Sequence, residues 1–170
     1  YRFFLNYKHT GWFRGQQQRA EKSNTLLFGT RLTRDTRDSY LDSDNAFFSF
    51  IEAEIAGFPF SNQFYRFKWD IRLYRKLFGS KLNLSTALFL GYVNEFGSSR
   101  LVAPDELFRI GIDDVRPVRG YVERDVSAVN KEGEATGGEL AAVINLLDIR
   151  FPLLSIFSGE IFVDGGYVWP

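Results

Sequence analysis

The stretch Tyr65-Arg66-Phe67-Lys68-Trp69-Asp70-Ile71-Arg72-Leu73 alternates apolar and charged residues without a break. Successive side chains of a strand point to opposite faces, whereas a helix would scatter this set around its circumference. Tyr65, Phe67, Trp69, Ile71 and Leu73 therefore share one face of a strand predicted over about 64–77, and Arg66, Lys68, Asp70 and Arg72 share the other. Downstream, Leu82, Leu84, Leu88, Leu90 and Tyr92 oppose Lys81, Asn83, Ser85 and Gly91, with Gly79-Ser80 as the joining turn. Upstream, Phe47, Ser49, Ile51, Ala53 and Ile55 oppose Phe48, Phe50, Glu52 and Glu54. Further back, Leu26, Phe28, Thr30 and Leu32 oppose Gly29, Arg31, Thr33 and Asp35; the polar run Asp42-Ser43-Asp44-Asn45 separates these two strands, and Gly57-Phe58-Pro59 closes the later one. Tyr1, Phe3, Leu5 and Tyr7 begin the chain in the same period, and Ile161, Val163 and Tyr167 end it opposite Glu160, Asp164 and Gly166. A seventh strand, over about 140–151, alternates poorly because Leu146 and Leu147 are both apolar and Asn145 sits among apolar neighbours. The fold class is all-β.

These runs are longer than the about 5–6 residues usual in a soluble strand, and long enough for the about 9–11 that cross a bilayer at a tilt. In 170 residues there are Phe 18, Tyr 8 and Trp 3, which excludes a disordered chain. Tyr65, Trp69, Tyr92, Tyr167 and Trp169 suit the aromatic girdles of a membrane barrel. Alternation alone does not say which face is inside. A polar face carrying charges of both signs suits a wet lumen, and an apolar face this dense in aromatics would overfill a small core, so the apolar face is expected to meet lipid. No apolar run reaches the roughly 20 residues of a membrane-spanning helix. Lys+Arg 21 against Asp+Glu 21 gives no basic field to recruit nucleic acid. Cys 0 and a single His9 exclude thiolate chemistry and a Cys/His metal cage.

Alternation lapses between about 97 and 138, far beyond the 2–5 residues of a usual hairpin loop. Phe108, Ile110, Ile112, Val115, Val118 and Tyr121 crowd the first part of this loop, which is expected to be packed.

Within it, Val118-Arg119-Gly120-Tyr121 resembles the VRG(F/Y) signature of the BamA/TamA superfamily of outer-membrane assembly factors and transporters. The approach Glu106-Leu107-Phe108-Arg109-Ile110-Gly111 is similar as well. So are Gly137-Gly138-Glu139 with the strand ending Leu147-Asp148-Ile149-Arg150-Phe151-Pro152, and the strand Phe162-Val163-Asp164-Gly165-Gly166-Tyr167-Val168-Trp169. Ile112 departs from the family, where a second Gly often follows Gly111, and the turn over 41–45 lacks the usual Pro and Gly.

The resemblance implies part of a transmembrane antiparallel up-and-down barrel of about sixteen strands, with about seven in this chain. The remaining strands and periplasmic POTRA domains would lie outside it. It also implies that the long extracellular loop folds back into the lumen, where Arg119 contacts Asp148 and Asp164 on the next two strands. Phe162, Asp164 and Gly166 would share the lumenal face, Gly120 would permit a tight turn, and Gly166 would leave space for its backbone. Arg66, Lys68, Asp70, Arg72, Glu52 and Glu54 are expected to line the lumen. The expected function is folding and insertion of β-barrel proteins into the bacterial outer membrane. The partners would be membrane lipid, unfolded barrel proteins, and accessory lipoproteins or periplasmic chaperones, with no nucleic acid.

Alternatives are a dedicated polypeptide translocator of the same superfamily, a soluble lipocalin-like ligand-binding barrel, or a passive pore or barrel anchoring a passenger domain. No enzyme, cofactor or metal site is expected. Glu52 and Glu54 at i, i+2 on a wet strand read as solvation rather than a glycosidase pair, and Asp42 to Asn45 lacks the Gly and distal Glu of a calcium loop.

Overall fold

The protein, described here from a computed structural model, is a single sheet of antiparallel strands in chain order. They are β1 (Arg2–Arg14), β2 (Arg19–Asp35), β3 (Ala46–Ala56), β4 (Phe64–Leu77), β5 (Leu82–Glu95), β6 (Leu140–Leu154) and β7 (Phe157–Trp169). The structure describes residues 2–14, 19–38, 45–57, 62–77, 82–97, 102–111, 118–121, 126–129, 131, 133, 136–154 and 157–170; within β1 and β2 the side chains of 8–14 and 19–23 are outside that description. The turn expected at Gly79-Ser80, most of the Asp42 to Asn45 run, Phe58-Pro59, Ile112, Val115 and the side chain of His9 therefore lie outside the described residues. All seven strands expected from alternation are present. β2 begins at Arg19, well before Leu26 where the alternation becomes clear.

Cross-strand partners share a face, so register carries the parity of one strand to the next. Tyr65 pairs with Ile55 and Asn94, Trp69 with Ile51 and Leu90, and Ile71 with Ser49 and Leu88. Together with Phe28 and Leu32 on β2 these form one continuous apolar face. That face is open: Phe3 is 72% exposed and Leu5 70%, whereas on the opposite face Asp70 is 0% exposed and Glu52 3%. A water-soluble barrel would show the reverse distribution, which removes the lipocalin-like alternative and its apolar pocket. Tyr65, Tyr92, Tyr167 and Trp169 gather at the end of the sheet nearest the long β5–β6 connection, with Tyr65 against Tyr92 and Tyr167 against Trp169. Trp69 is not part of that girdle; it sits mid-strand and donates its indole N–H to Ser49 Oγ at 3.2 Å.

The poor alternation of β6 has a physical cause. Asn145 pairs with Asp164 but Leu147 pairs with Val163, and on the other side Asp148 pairs with Ser85 and Asn145 with Ala87. Leu146 is thus an extra residue, a β-bulge, and the faces resume their alternation around it. The Thr86 hydroxyl donates to the Asn145 carbonyl at 3.1 Å, so a side chain meets a backbone acceptor beside the bulge.

The inner face is divided. At the loop end it is apolar, and the β5–β6 connection packs there: Ile110, Val118 and Ala128 bury against Phe89, Ala141, Val143 and Val168, while Val102 joins Leu27, Ala56, Phe64 and Val93. Backbone bridges from Phe108 to Gly138 and from Ile110 to Val126 fold the connection on itself. Towards the short-turn end the inner face becomes charged.

Candidate functional site

The tip of the connection is a turn. Tyr121 N–H donates to Val118 O at 3.3 Å, and Gly120 holds φ +95, the left-handed third position that side chains resist. A Cβ on Gly120 would meet nothing within 4 Å, so the requirement for glycine there is conformational rather than steric. The turn presents Arg119 to the wall while Val118, 2% exposed, anchors it among apolar residues. Tyr121 remains about half exposed.

Arg119 grips β7 side-on. Its Nε donates to Asp164 Oδ2 at 2.6 Å and its Nη2 to Asp164 Oδ1 at 2.9 Å, and its backbone N–H adds a third bond to Oδ2 at 3.1 Å. Nη1 reaches Asp148 Oδ2 at 3.3 Å on β6 and also contacts Glu160. The guanidinium carbon lies 3.7 Å from the centre of the Phe162 ring, so one planar cation is both stacked and hydrogen-bonded in its plane. The Asp164 hydrogen bond is the foremost reason this guanidinium is held more firmly in its charged form than a free arginine.

The wall supports these acceptors. Asn145 Nδ2 donates to Asp164 Oδ1 at 2.8 Å, fixing the carboxylate that Arg119 grips. Arg150 approaches Glu160 Oε2 at 3.2 Å and Asp148 Oδ1 at 3.6 Å, so the tip's cation and a wall cation share two carboxylates. Short Ser85 and Ala87 between Arg72 and Arg150 leave a recess of about 250 Å³ beneath the tip, room for several waters.

Val118, Arg119, Asp148, Phe162, Asp164 and Gly166 thus meet in one place. Gly166 serves differently from the expectation: a Cβ there would lie 2.6 Å from Ile110 Cδ1 and 3.0 Å from Val118 Cγ2, so it makes room for the tip's apolar side chains and not for the backbone at Gly120.

The residues expected to line the lumen form a lattice of ion pairs on the inner face. Lys68 Nζ bridges Glu52 at 2.8 Å and Glu54 at 3.2 Å, Arg31 joins Glu52 across β2 and β3, and Arg66 joins Glu54. Asp70 binds Arg72, two residues along its own strand, at 2.6 Å. Arg66 also donates to Glu106 of the connection at 3.0 Å, which gives the loop a second ionic anchor of opposite polarity to Arg119.

Sequence reasoning passed over Glu106, Asn145, Glu160 and Arg150 as parts of this site. Asn145 carried a signal, as the one amide among apolar neighbours in β6. Glu106 carried none, since a loop residue has no parity to place it. Among the described residues no group of His, Asp and Glu is arranged to hold a metal ion.

An outward apolar face, a charged inner face and a connection pinned to that inner face define part of the wall of a transmembrane β-barrel, with its own loop packed against the inner side. Residues 3–170 match the Omp85 superfamily domain, and the chain belongs to that superfamily. Membership implies an outer-membrane β-barrel. The fold is similar to that of the crystal structure of BamA from Haemophilus ducreyi lacking POTRA domains 1–3, with a TM-score of 0.71 and 20% sequence identity over 92% of this chain. The chain spans 32% of that protein's chain. No curated protein matches the sequence.

Proposed function

We propose that the protein folds and inserts β-barrel proteins into the outer membrane, with unfolded barrel polypeptides as substrates, accessory lipoproteins or periplasmic chaperones as partners and no catalytic chemistry of its own. The observation that carries this reading is the loop tip Val118 to Tyr121 latched by Arg119 onto Asp164 and Asp148 in a barrel of the Omp85 superfamily. A guanidinium held by a partly buried carboxylate on β7 and by β6 ties the loop to two neighbouring strands at once. Such a tie couples loop position to the shape of the wall, and an insertase needs a wall whose shape it can control. The rival within the superfamily is a dedicated polypeptide translocator. The charge lattice from Glu52 to Arg72 weighs against a wide, permanently open path along this part of the wall, because its members are paired and Arg66 is covered by the loop.

Quantitative outer-membrane proteomics after depletion of the full-length protein tests the assignment. A joint fall of many unrelated barrel proteins is expected. Steady barrels with the loss of one or a few secreted proteins would replace the assignment with the translocator.

A further inference from the structure

The outward face carries a second feature. Of the outward-facing strand residues whose side chains are described, only Arg34 and Arg75 are charged. β2 and β4 run in the same direction, and Arg34 is the penultimate residue of β2 while Arg75 is the third from the end of β4. Both therefore stand at the short-turn rim, where the apolar band formed by Leu32, Ile51, Trp69 and Leu73 gives out. Arg34 faces outward because it pairs with Ser49, which pairs with Ile71, and Arg75 because it pairs with Leu84. Both are exposed. The Arg34 guanidinium stands 5.7 Å from the centre of the outward Phe47 ring on the strand between them. No carboxylate among the described residues pairs with either.

At the opposite rim the described outward side chains are the uncharged Tyr65, Tyr92, Asn94, Tyr167 and Trp169. A merely tolerated interfacial charge could be of either sign and at either end. Two cations at one end, with no described acid paired to them, form a positive fringe on the described part of the lipid-facing surface. Guanidinium offers planar donors that match phosphate oxygens, and a long aliphatic stem lets it reach the headgroup layer from the apolar band.

We propose that Arg34 and Arg75 bind the phosphate of anionic phospholipids in the leaflet at the short-turn end. This rests on the membrane reading of the outward face. Each basic residue near an anionic surface contributes attraction, and two together give up to about thirtyfold enrichment of anionic over zwitterionic lipid in the shell at this rim.

The test uses the full-length protein reconstituted in phosphatidylcholine vesicles with and without phosphatidylglycerol. Co-flotation with vesicles reports insertion, and native mass spectrometry after gentle detergent release reports retained lipids. The wild type is expected to insert in both and to retain phosphatidylglycerol preferentially. R34Q/R75Q is expected to insert equally and lose most of that preference, and R34K/R75K to keep part of it. Equal preference in the wild type and R34Q/R75Q, or no preference in the wild type, overturns the proposal while leaving insertion intact. Failure to float with either vesicle would instead strike the membrane reading beneath it.

Discussion

Arg119 offers five donors in a plane, and the site uses that geometry: two donors of one edge on Asp164, one reach to Asp148 and the flat face on Phe162. A lysine would retain the charge but not the plane, which is why the residue type is informative. The parity of β7 placed Phe162, Asp164 and Gly166 on one face from sequence alone, and the family resemblance supplied the partner. What Gly166 touches was not legible, because the contact comes from Ile110 and Val118 across a fold of the connection. G166L tests the packing arm of the latch without touching its ion pairs. Filling the space held by Ile110 and Val118 is expected to cost about 1–3 kcal/mol and to raise protease cleavage of the loop. Unchanged cleavage and thermal unfolding in G166L would show that the tip does not rely on that space.

At the scale of elements, the strands were legible because a sheet with two unlike faces writes a period of two into the sequence. β6 was the exception, and its bulge at Leu146 explains the blurred pattern: one extra residue places two apolar side chains in succession without exchanging the faces. Deleting Leu146 would restore plain alternation, with Asn145 and Asp148 still inward. The strand is expected to form, but without the local twist that aims Asp148 at Arg119. A folded barrel with a more protease-sensitive loop is the expected result, and wild-type loop protection would show the bulge to be irrelevant to the latch.

The connection was expected to pack in its first part, and it does, through Phe108 over Gly91 and through Ile110. Its anchor at Glu106 depends on a tertiary contact with Arg66 that no local pattern encodes. E106A removes one of two carboxylates from a largely buried guanidinium that keeps Glu54, and a loss of about 1–3 kcal/mol is expected in full-length protein by thermal gel shift. E106Q, able to accept one bond, is expected to recover part of that loss. Equal stability of E106A and wild type would remove Glu106 as an anchor.

The whole molecule is decided by which face meets solvent or lipid, and alternation cannot settle that by itself. Strand length and the crowding of aromatics argued for an outward apolar face, and the exposed Phe3 and Leu5 opposite the buried Asp70 and Glu52 bear it out. The inner face is less uniformly polar than the sequence suggested, because the wall needs an apolar patch on which its own loop can dock.

Function at this scale rests on the loop being held at two ionic points, Glu106 on β4 and Arg119 on β6 and β7, with an apolar contact between them. The most direct test depletes the native protein from its cell and supplies R119A, D164A or R119A/D164A, reading outer-membrane barrel levels together with the amount of each variant. If the latch is what assembly requires, each single variant accumulates yet restores barrels poorly, and the double variant is no worse than the singles because one contact has been removed twice. Full restoration of barrel levels by R119A would contradict it.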